Sequence, residues 1–181
     1  MANLKKLFLF KIFVVLLFTN LSLAGEKKDV AKFEISDETY PSVKVVYDWN
    51  LSSPEDVNQA LNYISNHLKA YTEYSPLAEV EIVVVSHGPE LAIFAKQNHP
   101  KFKDVIERIK SFHESYGINF YVCYNAARAL GFSKEDFPSF VILTPAGVAK
   151  LAALEEEGYR LVPAVVNKFE PVKEKYGKKS K

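Results

Sequence analysis

Apolar residues along this chain switch between two periods, and each switch marks an element. Val43-Lys-Val-Val-Tyr-Asp-Trp49 is the first β-branched and aromatic run and predicts a strand. Ser53-Pro54-Glu55-Asp56 sets a capping serine before a proline at the first helical position, with an acid three residues after the cap, so a helix starts there. Val57, Leu61, Ile64, Leu68 and Tyr71 then recur at steps of four and three, lining one helical face with apolar groups. Glu81-Ile-Val-Val-Val85 is nearly continuous apolar sequence, the pattern of a strand buried on both faces in a parallel sheet. It ends at Ser86-His87-Gly88-Pro89, and Pro89 opens a short helix through Lys96. Phe102, Val105, Ile106, Ile109, Phe112 and Tyr116 mark a longer amphipathic helix closing at Gly117.

The second half repeats the alternation. Ile118-Asn-Phe-Tyr-Val122 reads as the third strand, and Asn125 is placed to cap a brief helix ending at Gly131. Ser133 with Asp136 forms another capping box before Pro138, and Phe140-Val-Ile-Leu143 is the fourth strand. Thr144-Pro-Ala-Gly147 turns into an alanine- and leucine-rich helix that stops at Gly158, and Tyr159-Arg-Leu-Val162 supplies a fifth strand. Strands alternating with helices imply right-handed crossovers. The expected fold is a single three-layer α/β domain, with a mostly parallel five-stranded sheet and helices on both faces.

The ends of the chain read differently. Lys5 and Lys6, an apolar run from Ile12 to Phe18, and Ser22-Leu23-Ala24 follow the order of a secretory signal peptide, so residues 1–24 are expected to be cut away on export. Lys11 and Thr19-Asn20 bound an apolar core much shorter than the roughly 20 residues of a membrane span, so no stable membrane insertion is expected after cleavage. Residues 25–42 are an irregular leader, 43–166 the α/β domain, and 167–181 a basic flexible tail, with six lysines from residue 168 onward. The localisation implied is periplasmic or otherwise exported.

Composition narrows the chemistry. Without residues 1–24 the chain has 20 basic and 22 acidic residues, a formal charge of −2, and nothing in it calls for nucleic acid. Its one cysteine, Cys123, rules out an internal disulfide and zinc sites built on paired cysteines. No two histidines have metal-ligand spacing around an acid on a common helix face. Gly-x-Gly-x-x-Gly and Walker patterns are absent, so no metal and no cofactor is expected. Ser86 and Ser139 lack the Gly-x-Ser-x-Gly elbow of a hydrolase.

Ligands of open parallel sheets bind outside the carboxyl ends of the strands. After the first strand comes Asn50, after the second His87-Gly88, after the third Cys123-Tyr124-Asn125, and after the fourth Thr144-Pro145-Ala146-Gly147. Asn50, Gly88, Asn125, Pro145 and Gly147 are therefore candidate ligand-binding positions, with Cys123 and His87 the candidate catalytic pair. Cys123 ends a strand just before a helix, where the partial positive charge of the helix start attracts an anion and suits a nucleophile. An ordinary buried thiol fits the same position. His87 offers a hydrogen bond or proton exchange, and Gly88 permits close backbone approach. His67, His99 and His113 read as structural, Glu155-Glu156-Glu157 as a solvated helix end, and Arg128 is left out of the site.

These residues resemble the DsrE/DsrF-like family, in particular exported members related to the YchN group. The likeness spans residues 43–164 and rests on Val43 to Trp49, Asn66-His-Leu-Lys69, Ile82-Val-Val-Val-Ser-His-Gly-Pro89, Ile118-Asn-Phe-Tyr-Val-Cys-Tyr-Asn125, Pro145-Ala-Gly-Val148 and Glu157-Gly-Tyr159. It implies a compact α/β domain assembling as a homotrimer or homohexamer, with sites near subunit contacts. It also implies sulfur carried as a cysteine persulfide between donor and acceptor proteins, with Cys123 at the position of the family's cysteine and His87 on the His-Gly segment. Glu155 and Glu156 stand where that group has glutamines, which puts any role of those glutamines in doubt here. The function implied is sulfur carriage or an accessory role in sulfur transfer. A non-catalytic small-ligand or assembly module with a structural cysteine is the alternative, and a redox-sensing thiol ranks third.

Overall fold

Five strands, β1 (Val43–Trp49), β2 (Val80–Ser86), β3 (Asn119–Cys123), β4 (Val141–Thr144) and β5 (Arg160–Pro163), pair in parallel in the order β4-β3-β2-β1-β5. The computed structural model describes residue 31, residues 40–167 and residues 169–177. The expected signal peptide and most of the expected leader lie outside the described residues. Among the described residues no helix is long and apolar enough to cross a membrane.

Strand periodicity sorts the side chains into two layers, as the pleat requires. On one face Val45, Tyr47 and Trp49 of β1, Ile82 and Val84 of β2, and Phe120 and Val122 of β3 pack under two long helices. These are α1 (Val57–Tyr74), which buries Val57, Ala60, Leu61 and Ile64, and α2 (Lys103–Tyr116), which buries Ile106, Ile109 and Phe112. On the other face Val46, Val83 and Val85 meet Leu151 and Leu154 of α4 (Gly147–Glu156), with Tyr159 at the margin. From Ile82 to Ser86 every residue of β2 is buried, the two-sided burial that its apolar run implies. The fold is thus the expected three-layer α/β domain.

Local differences have local causes. The turn at Pro54–Asp56 is a 3-10 helix leading into α1, and Ser53 Oγ donates to the Asp56 side chain at 3.1 Å instead of accepting from a backbone amide. Pro89 opens two 3-10 segments, Pro89–Phe94 and Lys96–Asn98, broken at Ala95 by extended backbone. The Ser133–Asp136 capping box forms: Ser133 N–H and Oγ both donate to Asp136 Oδ2, at 2.7 and 2.9 Å.

Two expectations need correction. Asn125 does not cap the short helix α3 (Tyr124–Ala129); Cys123 holds that position, because β3 runs one residue further than expected, to pair Cys123 with Thr144. The segment read as a flexible tail carries a helix, α5 (Phe169–Tyr176), in which Pro171 sits in the first turn where no helical amide bond is lost. Residues 171–177 are all exposed, so this helix is solvated as well as regular.

The three histidines read as structural are held by the fold. His67 Nδ1 meets the Tyr47 hydroxyl at 3.0 Å, and burial lowers the His67 pKa while raising that of Tyr47 to about 12. A neutral imidazole accepting the phenol proton satisfies both directions. His99 bonds the Phe94 carbonyl and His113 the Ile118 carbonyl, at 3.1 and 2.9 Å.

Ile64 lies wholly inside the larger layer, where the surroundings relax only partly around a void. Ile64→Ala is expected to destabilise the domain by about 2–5 kcal/mol in urea unfolding, whereas removing the exposed Val172 side chain leaves the midpoint unchanged.

Candidate functional site

Register brings three side chains to one end of the sheet. Trp49 pairs with Ser86, Ser86 with Val122, and Cys123 with Thr144, so the carboxyl ends of β1 to β4 lie side by side. Alternation from Val46, Val85 and Tyr121, all on the α4 face, sends Asp48, His87 and Cys123 to that same face. There His87 Nε2 lies 2.6 Å from Asp48 Oδ1, a short pair that fixes the imidazole ring. The two side chains keep 14% and 25% of their surface, while Cys123 keeps 7% and is a free thiol.

The start of α4 closes over this row. A Cβ on Gly147 would lie 2.5 Å from His87 Cβ and 3.3 Å from Cys123 Cβ, so both side chains flank one point at the first residue of the helix. Only glycine admits that approach without a shift. The cap residue, Ala146, supplies no side-chain bond, and amides of a first turn have no acceptor within their own helix. An anion formed at Cys123 therefore has donors and the favourable end of a ten-residue helix dipole close by. The sequence pointed instead to the helix that follows Cys123 in the chain.

A second cluster sits behind Gly88. The Glu90 carboxylate, fully buried, accepts from Ser86 Oγ at 2.7 Å, Leu51 N–H at 2.9 Å and Gly88 N–H at 3.2 Å. Burial pushes its pKa up, against the pull of these bonds. A Cβ on Gly88 would overlap the Glu90 carboxylate and lie 2.8 Å from Asn50 Oδ1, so Gly88 and Asn50 belong to this cluster and not to the Cys123 row. Asn50 also borders a cleft of about 630 Å³ between the loops after β1 and β5, with Ser53, Asp56, Gln59 and Val165.

Asn125 and Pro145 tie neighbouring loops together: Asn125 N–H donates to the Pro145 carbonyl at 3.2 Å. Both line a smaller cleft of about 440 Å³ with Tyr124, Arg128, Lys134 and Thr144. Arg128 turns outward and donates to Asn125 Oδ1 at 2.8 Å. Of the expected site residues, Cys123, His87 and Gly147 come together; Asn50 with Gly88, and Asn125 with Pro145, form separate groups. Reading the sequence missed Asp48 and Glu90. Asp48 sits inside a strand run, and its signal was an acid one residue before the carboxyl end of a parallel strand. Glu90 follows a proline, where acids normally serve only to start a helix. Among the described residues no three His, Cys, Asp or Glu are grouped to hold a metal.

Residues 44–163 match the model of the DsrE/DsrF-like family, a span running from β1 through β5. The chain belongs to that family. Among solved structures it is similar to MTH1491, a protein of unknown function from Methanobacterium thermoautotrophicum, at 20% identity and a TM-score of 0.52, over 67% of this chain and 99% of that one. That likeness is one of fold. Among curated proteins, none matches the chain at a significant level.

Two outcomes test this geometry. Gly147→Ala is expected to destabilise the domain by about 1–3 kcal/mol, since the added methyl forces α4 away from His87, and to change the native-state alkylation rate of Cys123; an unchanged rate with an unchanged unfolding midpoint rejects the close approach. For Glu90, a folded pKa above the unfolded one means the native state holds the proton more tightly, so the stability it confers is present in acid and lost as pH rises through the folded value. Urea midpoints measured across that range should show wild type losing stability relative to Glu90→Gln as pH increases; the opposite slope contradicts the assignment.

Proposed function

We propose that this protein is an exported sulfur-relay protein that carries sulfane sulfur as a persulfide on Cys123. The observation that carries the reading is the convergence of Cys123 and an Asp48-held His87 on the uncapped start of α4. A nucleophile, a base within the same row and a third group orienting that base are the parts from which activated thiols are built. Membership of the DsrE/DsrF-like family supports it at the level of the family.

The chemistry follows from those parts. His87 takes the thiol proton, and the Cys123 thiolate attacks the outer sulfur of a polysulfide. A new S–S bond forms as the donor's S–S bond breaks, and the electron pair leaves on the shortened polysulfide. Delivery reverses this: an acceptor thiolate attacks the outer sulfur of the persulfide, and the Cys123 thiolate leaves.

Location and assembly complete the proposal. Export rests on Lys5, Lys6, the Ile12–Phe18 run and Ser22-Leu23-Ala24, and implies the periplasm or an equivalent compartment. Assembly as a homotrimer or homohexamer is supported by Ile142 and Leu161, apolar yet exposed on the side of the sheet that α4 covers only in part, and by the exposed Val148 of α4 itself. Sulfur donor and acceptor proteins would meet the carboxyl edge. A second reading, a ligand-binding module with a packing cysteine, is favoured by the near-complete burial of Cys123 and by the separate cleft at Asn50.

Intact mass after brief exposure to polysulfide separates the two. Wild type is expected to gain one sulfur atom that Cys123→Ala does not gain, and His87→Gln to load about 100-fold more slowly. Wild type that stays unmodified, with Cys123 alkylated only after denaturation, rejects the relay and leaves the binding module.

A further inference from the structure

The cleft beside the ends of β3 and β4 has a charge pattern that the relay reading does not use. Its walls are Tyr124, Asn125, Arg128, Lys134, Thr144 and Pro145, enclosing about 440 Å³. The Arg128 guanidinium lies 5.4 Å, and the Lys134 ammonium 5.6 Å, from the centre of the Tyr124 ring. Two cations share one ring. Neither makes an ion pair among the described residues, and no carboxylate lines the cleft.

The nearest acids in sequence are already engaged or lie elsewhere. Asp136 is held by Ser133 N–H and Oγ in the capping box, and its pKa is lowered first by that backbone bond. Glu135, on the same turn as Lys134 and within reach of its charge, is fully solvated and forms no part of the lining. Asn125 Oδ1 takes one guanidinium N–H of Arg128, which fixes the fork and leaves its other donors free. Like charges gathered on one concave surface repel one another, and a bound anion removes that repulsion. A planar fork and a point cation lining one cleft, with Thr144 at the wall, suit an oxyanion carrying two negative charges.

We propose that this cleft is a binding site for a small dianionic oxyanion of the sulfate or phosphate type. It goes beyond the persulfide reading, because its donors come from Arg128 and Lys134 and not from the thiol. Its mouth lies close to the reactive row all the same: Tyr124 follows Cys123 in the chain, and Thr144 pairs with it across the sheet. An anion seated there stands at the edge of the surface that Cys123 presents.

Inorganic sulfate and inorganic phosphate, titrated separately into the protein at about 0.15 M NaCl and followed by two-dimensional NMR, test this. Saturable shifts confined to Tyr124, Asn125, Arg128 and Thr144 are expected, with a dissociation constant below about 1 mM. Tighter binding of sulfate or of phosphate tells which oxyanion the site is built for. Arg128→Gln and Lys134→Gln are each expected to weaken binding about tenfold, and the double variant to abolish it. Both side chains are exposed, so the variants should fold, as unchanged spectra elsewhere would verify. Arg128→Lys should fall between, since it keeps the charge and loses the fork. Cys123→Ala should bind as wild type does, even if it or wild type fails to load sulfur, which keeps this claim separate from the relay. Shifts that do not saturate, or that persist unchanged in the double variant, overturn it.

Discussion

The carboxyl edge of this sheet is organised by one close approach. After β4 the chain must return past β3, β2 and β1 to lay down β5 on the far side, and α4 makes that journey across a single face. Its first residue sits against His87 and Cys123 with no room for a Cβ. Had any side chain been present there, the helix start would have been held off the strand ends, and the amides of its first turn would face solvent. The absence of one methyl group is therefore what joins a helix terminus to a thiol and an imidazole contributed by strands of quite different sequence position.

Around that contact the two faces of the edge work by different means. On the α4 face, Asp48 holds His87 by a short hydrogen bond, which orients a ring that stays partly open to water. On the opposite side of the same loop, Glu90 draws Leu51, Ser86 and Gly88 together through three hydrogen bonds without a cation. A buried carboxylate so satisfied gives the loops after β1 and β2 one fixed geometry, because any movement would strand an acceptor in a dry environment. His87 is positioned twice over: its backbone N–H donates to the Trp49 carbonyl at 2.9 Å, and its ring is held by Asp48.

Much of the architecture was legible because it follows from period. Alternating and continuous apolar runs gave five strands, and the four-and-three spacing of Val57, Leu61 and Ile64 gave the buried face of α1. Strand order was not legible, since pairing depends on which edges meet after collapse and no local residue records it. The site was half legible. Cys123, His87 and Gly147 stood out as unusual residues at strand ends, whereas Asp48 was concealed by the run of strand formers around it. Asn125 has the side chain of a cap, but the pairing of Cys123 with Thr144, a long-range fact, sets the helix start two residues earlier. The helix at the lysine-rich end was not legible either, because a solvated segment with Pro171 and few apolar residues carries no periodic stripe to announce it.

The partnership of β1 with β5 has a consequence for how the chain reaches this state. The first strand in sequence lies between its immediate successor and the last one, and Val45 to Asp48 pair with Arg160 to Pro163. That pairing closes nearly the whole length of the domain, so it is intrinsically late and slow to form. Until Arg160 arrives, a growing polypeptide carries β1 with one side unzipped, an open template for any other extended segment it meets. The order of strands thus sets an interval of vulnerability between synthesis and completion, in which the molecule must be kept from its own neighbours.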